Sequence, residues 1–175
     1  MQTTHAPLDV ETPLAVTFVV GSNLPHSRLR SSGGTPIGRF GPVVADWLLD
    51  RMRDRDDLLP EVVDVAEADL PTTFAPTSEA IAARSSITPK LAAADAFVVL
   101  TPEYNHSYPA GLKNLIDWHF TEWQAKPVAL VSYGGVSGGL RDPSGPEAAA
   151  KVMLDQLVWW GRGLREAREK RPYGR

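Results

Sequence analysis

The feature that most constrains the fold is a set of short apolar runs that do not alternate. Leu14–Val20 (LAVTFVV) and Ala96–Leu100 (AFVVL) carry almost no polar residue, and β-branched side chains dominate both. A strand with one solvated face alternates apolar and polar residues. An unbroken run of five to seven predicts a strand covered on both faces, as in a parallel sheet between two helical layers. Glu61–Ala66 (with VVDV) and Pro127–Val131 (PVALV) read as two further strands.

Helical segments separate these runs. One starts with Pro42 in its first turn and places Val44, Trp47, Leu48 and Met52 on one face. Ser78 to Ala94 is a weaker helix that Pro89 should interrupt or kink. Pro109 to about His119 carries Leu112, Leu115 and Ile116 on one side. A last helix from about Glu147 has an apolar stripe of Met153, Leu157, Trp160, Leu164 and Ala167. Strand and helix thus alternate four times, and right-handed crossovers turn that order into a doubly wound α/β sandwich. Ligands of such sheets sit beyond the carboxyl ends of the strands, where the strand order switches.

The 175 residues suit one domain, with residues 1–13 as a polar tail. A net charge of −3 gives no basic surface for nucleic acid, and no apolar run is long enough to span a membrane. The absence of cysteine removes disulfides, thiolate metal sites and a cysteine nucleophile together, and with no apolar leader the expectation is a cytoplasmic protein. His5, His26, His106 and His119 lack metal-ligand spacing and suit surface or capping positions. Arg162, Arg165, Arg168, Lys170 and Arg171 are expected to form a solvated face at the last helix's end, where they complement its dipole.

Three loops at the strands' carboxyl ends stand out. The first, Gly21–Gly41, carries Ser22, Ser27, Ser31, Ser32, Arg28, Arg30 and Arg39 among glycines. Such a loop before a helix suits a phosphate, although its composition is read equally well as a surface loop. Neither a Walker motif nor G-x-G-x-x-G occurs in it. The second, TPEYNHSYP, is stiffened by Pro102 and Pro109, and Asn105 suits a left-handed turn. Tyr104, His106 and Tyr108 give it flat faces over which a planar ligand could lie, but alone it reads as a stiff turn before a helix. The third, SYGGVSGG, lets backbone approach a ligand closely. Its G-V-S-G-G matches a nucleophile elbow formally, yet every histidine precedes Ser137, the reverse of the order a serine hydrolase of that fold needs.

Taken in this order, the loops resemble the NADPH-dependent FMN reductase family of flavodoxin-like flavoproteins. The resemblance rests on TPEYNHSYPAGLKNLIDW, EWQAKPVALVSYGGVSGGLR, GSN at 21–23 and IGRFGPVVADW at 37–47. It implies FMN bound noncovalently, its phosphate near Ser22, Asn23 and Arg39. Pro102, Glu103, Tyr104 and Asn105 would frame the ring system, with Ser132, Gly134 and Gly135 on its other side. NADPH or NADH would donate hydride, passed on to a small acceptor such as a flavin, a quinone or an azo compound, often in a homodimer. The chemistry would belong to the cofactor, which accounts for the lack of a visible acid–base pair.

Two departures qualify this. Leu24 stands where the family has an arginine, so Arg28 or Arg30 would substitute at the phosphate. GGLR runs into DPSGPEAAAK, as though a helix and a fifth strand were absent. The expectation is therefore a flavodoxin-like parallel sheet of four strands in the order 2-1-3-4, lacking the fifth, its open edge covered by a partner or by the last helix. The competing readings are a non-enzymatic flavin-binding electron carrier and a shortened, inactive paralogue acting as an interaction subunit. Flavodoxin-type carriers tend to be more acidic than −3.

Overall fold

The computed structural model describes residues 12–21, 41–134 and 144–174. Four parallel strands, β1 (Leu14–Val20), β2 (Leu58–Asp64), β3 (Ala96–Pro102) and β4 (Val128–Tyr133), form one sheet in the order β2-β1-β3-β4. The helices are α1 (Gly41–Arg53), α2 (Ser78–Ala93), α3 (Ala110–Trp118) and α4 (Ser144–Lys170), with a short 3-10 turn at Thr121–Trp123. The strand order is the one expected, and so is the fold: a flavodoxin-like α/β sandwich.

The two central strands are buried along nearly their whole length, which is why their sequences do not alternate. On one face, Leu14, Val16, Phe18 and Val98 pack against Leu48 and Met52 of α1 and Leu154 and Leu157 of α4. On the other, Val19, Phe97 and Val99 meet Ile87 and Leu91 of α2 and Leu112 and Leu115 of α3.

Several boundaries differ from the sequence reading. β2 begins at Leu58 rather than Glu61 and runs through Pro60. Proline is tolerated there because β2 is an edge strand, where one side of the backbone has no ladder partner. α2 passes through Pro89 as one helix, and Thr77 caps its start by accepting a hydrogen bond from the Ala80 amide at 3.2 Å. β4 extends to Tyr133, and α4 starts at Ser144 rather than Glu147.

α4 departs most from expectation. Its buried line is Ala150, Leu154, Leu157, Val158 and Gly161. Of the expected stripe only Leu157 is fully buried, while Trp160 is half exposed and Ala167 exposed. The basic cluster is also not simply a solvated face. Arg165 and Arg168 both reach Asp95, at 3.3 and 2.9 Å, and donate to the carbonyls of Thr12, Pro13 and Ala125. Asp95 accepts the Ala15 amide as well, so this cluster ties the helix to the amino ends of the strands.

His119 is buried at the carboxyl end of α3, where its Nδ1–H donates to the Leu115 carbonyl at 3.0 Å, a capping role as expected. No helix among the described residues is long and apolar enough to cross a membrane.

Candidate functional site

At the carboxyl edge of the sheet, β1, β3 and β4 end side by side. Gly21 closes β1, and its N–H donates to the Leu100 carbonyl at 2.7 Å. A Cβ at this position would lie 2.9 Å from that oxygen and 3.1 Å from Leu112 Cδ2. The position therefore demands glycine, and the chain leaves the sheet pressed against β3 and the first turn of α3.

β3 and β4 stay in register to their ends, pairing Thr101 with Ser132 and Pro102 with Tyr133. The Glu103 amide then donates to the Tyr133 carbonyl at 2.9 Å, holding the loop after β3 against the end of β4. This contact brings Pro102 and Glu103 beside Ser132 and Gly134. Pro102 is buried, Glu103 and Gly134 are part-buried, and Ser132 is exposed.

Beyond Glu103 the chain turns back tightly. Tyr104 and Ser107 exchange backbone hydrogen bonds of 2.8 and 3.0 Å. Between them Asn105 and His106 both adopt positive φ, 55° and 61°. Two successive left-handed residues define a type I′ turn, and both residues are exposed. Asn105 was legible as such a position, since its short amide tolerates it. His106 was not, because nothing in its sequence context marks a second left-handed residue. The amides of both take no backbone acceptor among the described residues.

The side chains around the turn are accessible. Tyr104 is 37% and Tyr108 47% exposed, and His106 projects with its Nδ1 3.4 Å from Glu103 Oε1. Pro109 stands at the N-cap of α3 without a side-chain cap, and its fixed φ of −62° sets the helix start. The far flank of α3 is tied down by Asn114 and Trp118, which donate to the Leu70 and Pro71 carbonyls. Phe74 stacks on Trp118 at 4.8 Å. The turn is thus a projecting edge on a braced support.

Of the residues expected to bind a cofactor, Pro102, Glu103, Tyr104, Asn105, Ser132 and Gly134 gather at this edge. Ser22, Asn23, Arg28, Arg39 and Gly135 lie outside the described residues, as does Ser137. Among the described residues no group of three acidic or histidine side chains gathers as a metal site requires. A cavity of about 500 Å³ lies elsewhere, between α1 and α4, where Arg51 pairs with Glu147. Ion pairs line it, and it takes no part in the strand-edge arrangement.

This edge fits a planar heterocycle with hydrogen-bonding rims. It offers main-chain amides without a backbone acceptor among the described residues, aromatic rings beside them and no side chain at Gly21 or Gly134 to bar close approach.

Known proteins resemble this chain in sequence and in fold. The family model described as NADPH-dependent FMN reductase matches residues 31–143. An NAD(P)H-dependent FMN reductase of Schizosaccharomyces pombe is 37% identical over 117 residues, 61% of this chain and 57% of that protein. A quinone reductase of Escherichia coli K12 is 38% identical over 92 residues, 47% of this chain and 46% of that protein. The chain therefore matches only about half the length of these curated relatives. Among solved structures, the flavoenzyme NAD(P)H:(acceptor) oxidoreductase FerB of Paracoccus denitrificans superposes with a TM-score of 0.53 at 18% identity, over 86% of this chain and 98% of that one, a likeness of fold. With the family model spanning well over half of its length, the chain belongs to the NADPH-dependent FMN reductase family.

Proposed function

We propose that this chain is a single-domain oxidoreductase that holds FMN at the carboxyl edge of β1, β3 and β4. It passes reducing equivalents from NAD(P)H to a small acceptor of the flavin, quinone or azo class. The observation that carries this reading is the Glu103–Tyr133 hydrogen bond, which sets the left-handed turn of Tyr104–Ser107 beside Ser132 and Gly134 at the ligand-binding end of the sheet.

Pro102 anchors the end of β3, and Glu103 fixes the distance between the two loops. The amides of Asn105 and His106 offer donors to the polar rim of a flavin, and the Tyr104 and Tyr108 rings exclude water beside it. Gly21 and Gly134 leave room for the ring. Ser22, Asn23, Arg28 and Arg39 supply hydroxyl, amide and cationic partners for the phosphate, with Gly135 adding a further close approach. Bound FMN supplies two-electron chemistry, which the protein orients and tunes. In the net reaction NAD(P)H gives up a hydride, and the acceptor gains two electrons and two protons, the second proton coming from solvent. The chain's own residues hold and shield, and no general acid or base is required of them.

The reading is tested by titrating the full chain with FMN and following flavin fluorescence. Saturable, stoichiometric quenching that FMN retains through gel filtration is expected. Fluorescence that stays equal to free FMN at every protein concentration would remove the basis of this function.

A further inference from the structure

At the amino ends of the strands, opposite the candidate site, a second cavity of about 370 Å³ opens between the ends of α2 and α4 and the segment leading into β4. Thr121, Glu122, Gln124, Lys126, Arg168 and Tyr173 line it. Lys126 stands two residues before β4, and its part-buried side chain reaches back to the last turn of α2. There its Nζ donates to the Leu91 and Ala92 carbonyls at 2.8 and 2.9 Å, two of the carbonyls that a helix end leaves without an intrahelical donor. The Phe97 ring of β3 lies 5.5 Å from Nζ and closes the side toward the sheet.

This lysine differs from the other four of the chain. Lys90, Lys113, Lys151 and Lys170 each pair with a carboxylate, Glu61, Asp117, Asp155 and Glu166 in turn. Hydrogen bonding to those acids holds the Lys113 and Lys170 ammonium groups above their ordinary value. No carboxylate among the described residues forms an ion pair with Lys126. The acids around it are engaged elsewhere: Asp95 accepts from Arg165 and Arg168, and Glu122 accepts from Arg84 and Thr121. Burial, then the Arg168 charge, hold the Lys126 ammonium down to about 8, against the pull of Asp95 and Glu122.

The hydrogen bonds of Lys126 suit a neutral amine. An ammonium has three N–H donors and a neutral amine two. The two carbonyls take two donors, so loss of one proton breaks neither bond. The position that the proton leaves holds a lone pair directed away from both carbonyls, while the cavity keeps Nζ within reach of a small molecule. A neutral amine that is held in place and open on one side is a nucleophile.

We propose that Lys126 is an acylation site, modified by small acyl phosphates that enter this cavity. The Arg168 charge favours an anionic donor, and Thr121 and Gln124 offer a hydroxyl and an amide to its phosphate. The Nζ lone pair attacks the acyl carbon and an N–C bond forms. The C–O bond to phosphate breaks, inorganic phosphate leaves with the electron pair, and the surplus proton on nitrogen passes to solvent. Nothing is oxidised or reduced. The product amide carries no charge and one N–H, so it satisfies one of the two α2 carbonyls where the amine satisfied both. The inference stands apart from the flavin reading, since failure of FMN binding leaves the far end of the sheet unchanged.

Treating the full chain with acetyl phosphate at pH 7, 8 and 9, and following each lysine by mass-spectrometric peptide mapping, tests it. At pH 8 about half of Lys126 is neutral, against about one part in 300 of an ordinary lysine. Lower basicity and part-burial offset some of that difference. Lys126 is therefore expected to react at least about tenfold faster than Lys151, the most exposed of the paired lysines. Its rate rises less than about twofold from pH 8 to 9, while that of Lys151 climbs about tenfold. In urea that unfolds the chain the preference disappears. Lys126 reacting no faster than Lys151 in the folded chain would overturn the proposal. So would a Lys126 rate that climbs in step with Lys151 up to pH 9, or a preference that persists unchanged in urea.

Discussion

The Gly21 amide and the Leu100 carbonyl meet at 2.7 Å, and that hydrogen bond leaves no room for a side chain on Gly21. The same contact sets where the chain leaves β1, so the packing of β1 against β3 depends on one residue. Gly21→Ala places a methyl against a backbone oxygen that cannot move without disturbing β3. The expected loss is about 1–3 kcal/mol in urea denaturation, with weaker FMN binding than wild type. Unchanged stability and affinity would show that β1 and β3 can separate there without cost.

Asn105 and His106 make a second prediction, because both hold positive φ in one tight turn. His106→Gly relieves the strain of a left-handed residue bearing a Cβ and stabilises the chain by about 1 kcal/mol. Asn105→Pro forces φ to about −65° and dismantles the turn. Since the turn is exposed and carries no core residue, the thermal midpoint falls little, whereas FMN affinity falls at least tenfold. Equal losses in both measurements would make the turn a structural element only.

Asp95 joins β1 and β3 to the end of α4 by accepting from Ala15, Arg165 and Arg168. All three charged side chains are mostly buried, so removing the acid leaves two guanidinium groups partly desolvated beside each other. Asp95→Ala should cost about 3 kcal/mol, read from the shift of the urea midpoint. Glu166, exposed on the same helix and paired with Lys170, serves as the control, and Glu166→Ala costs almost nothing.

Lys126 gives a pH dependence of known sign. Burial, then the nearby Arg168 charge, holds its ammonium down to about 8, against opposing pulls from Asp95 and Glu122. Its Nζ donates to the Leu91 and Ala92 carbonyls at 2.8 and 2.9 Å. Below pH 8 the group is protonated in both states, and the folded chain carries the full cost of burying the charge. Between about 8 and the ordinary 10.5 the unfolded chain keeps the proton while the folded chain has released it, so stability rises with pH across that window. The side chain is only part-buried, which limits the rise to the order of 1–2 kcal/mol. Urea denaturation at successive pH values should show the rise in wild type and not in Lys126→Met.

How much of this was legible in the sequence follows from how local each determinant is. β1 and β3 were plain because burial on both faces writes an unbroken apolar run. The start of β2 was not, because Pro60 signals a break unless the strand is already known to be an edge. Trp160 belongs to an apolar stripe by spacing alone, yet nothing local says that it stays half exposed in the folded chain. Arg165 and Arg168 looked solvated because Asp95 lies some seventy residues away in sequence. The site divides similarly. Asn105 carries its turn preference in its own side chain, whereas the left-handed His106 and the Glu103–Tyr133 contact arise only when β3 and β4 are paired.

The central claim, that the edge formed by these loops holds FMN for hydride transfer from NAD(P)H, is tested most directly by anaerobic stopped-flow spectroscopy. The FMN-loaded chain is mixed with NADPH, and in a parallel run with NADH, and the visible flavin band is followed. Bleaching within the mixing experiment, restored on adding a quinone, is the predicted result. A flavin band that persists with both nucleotides, in protein shown to hold FMN, would contradict the claim.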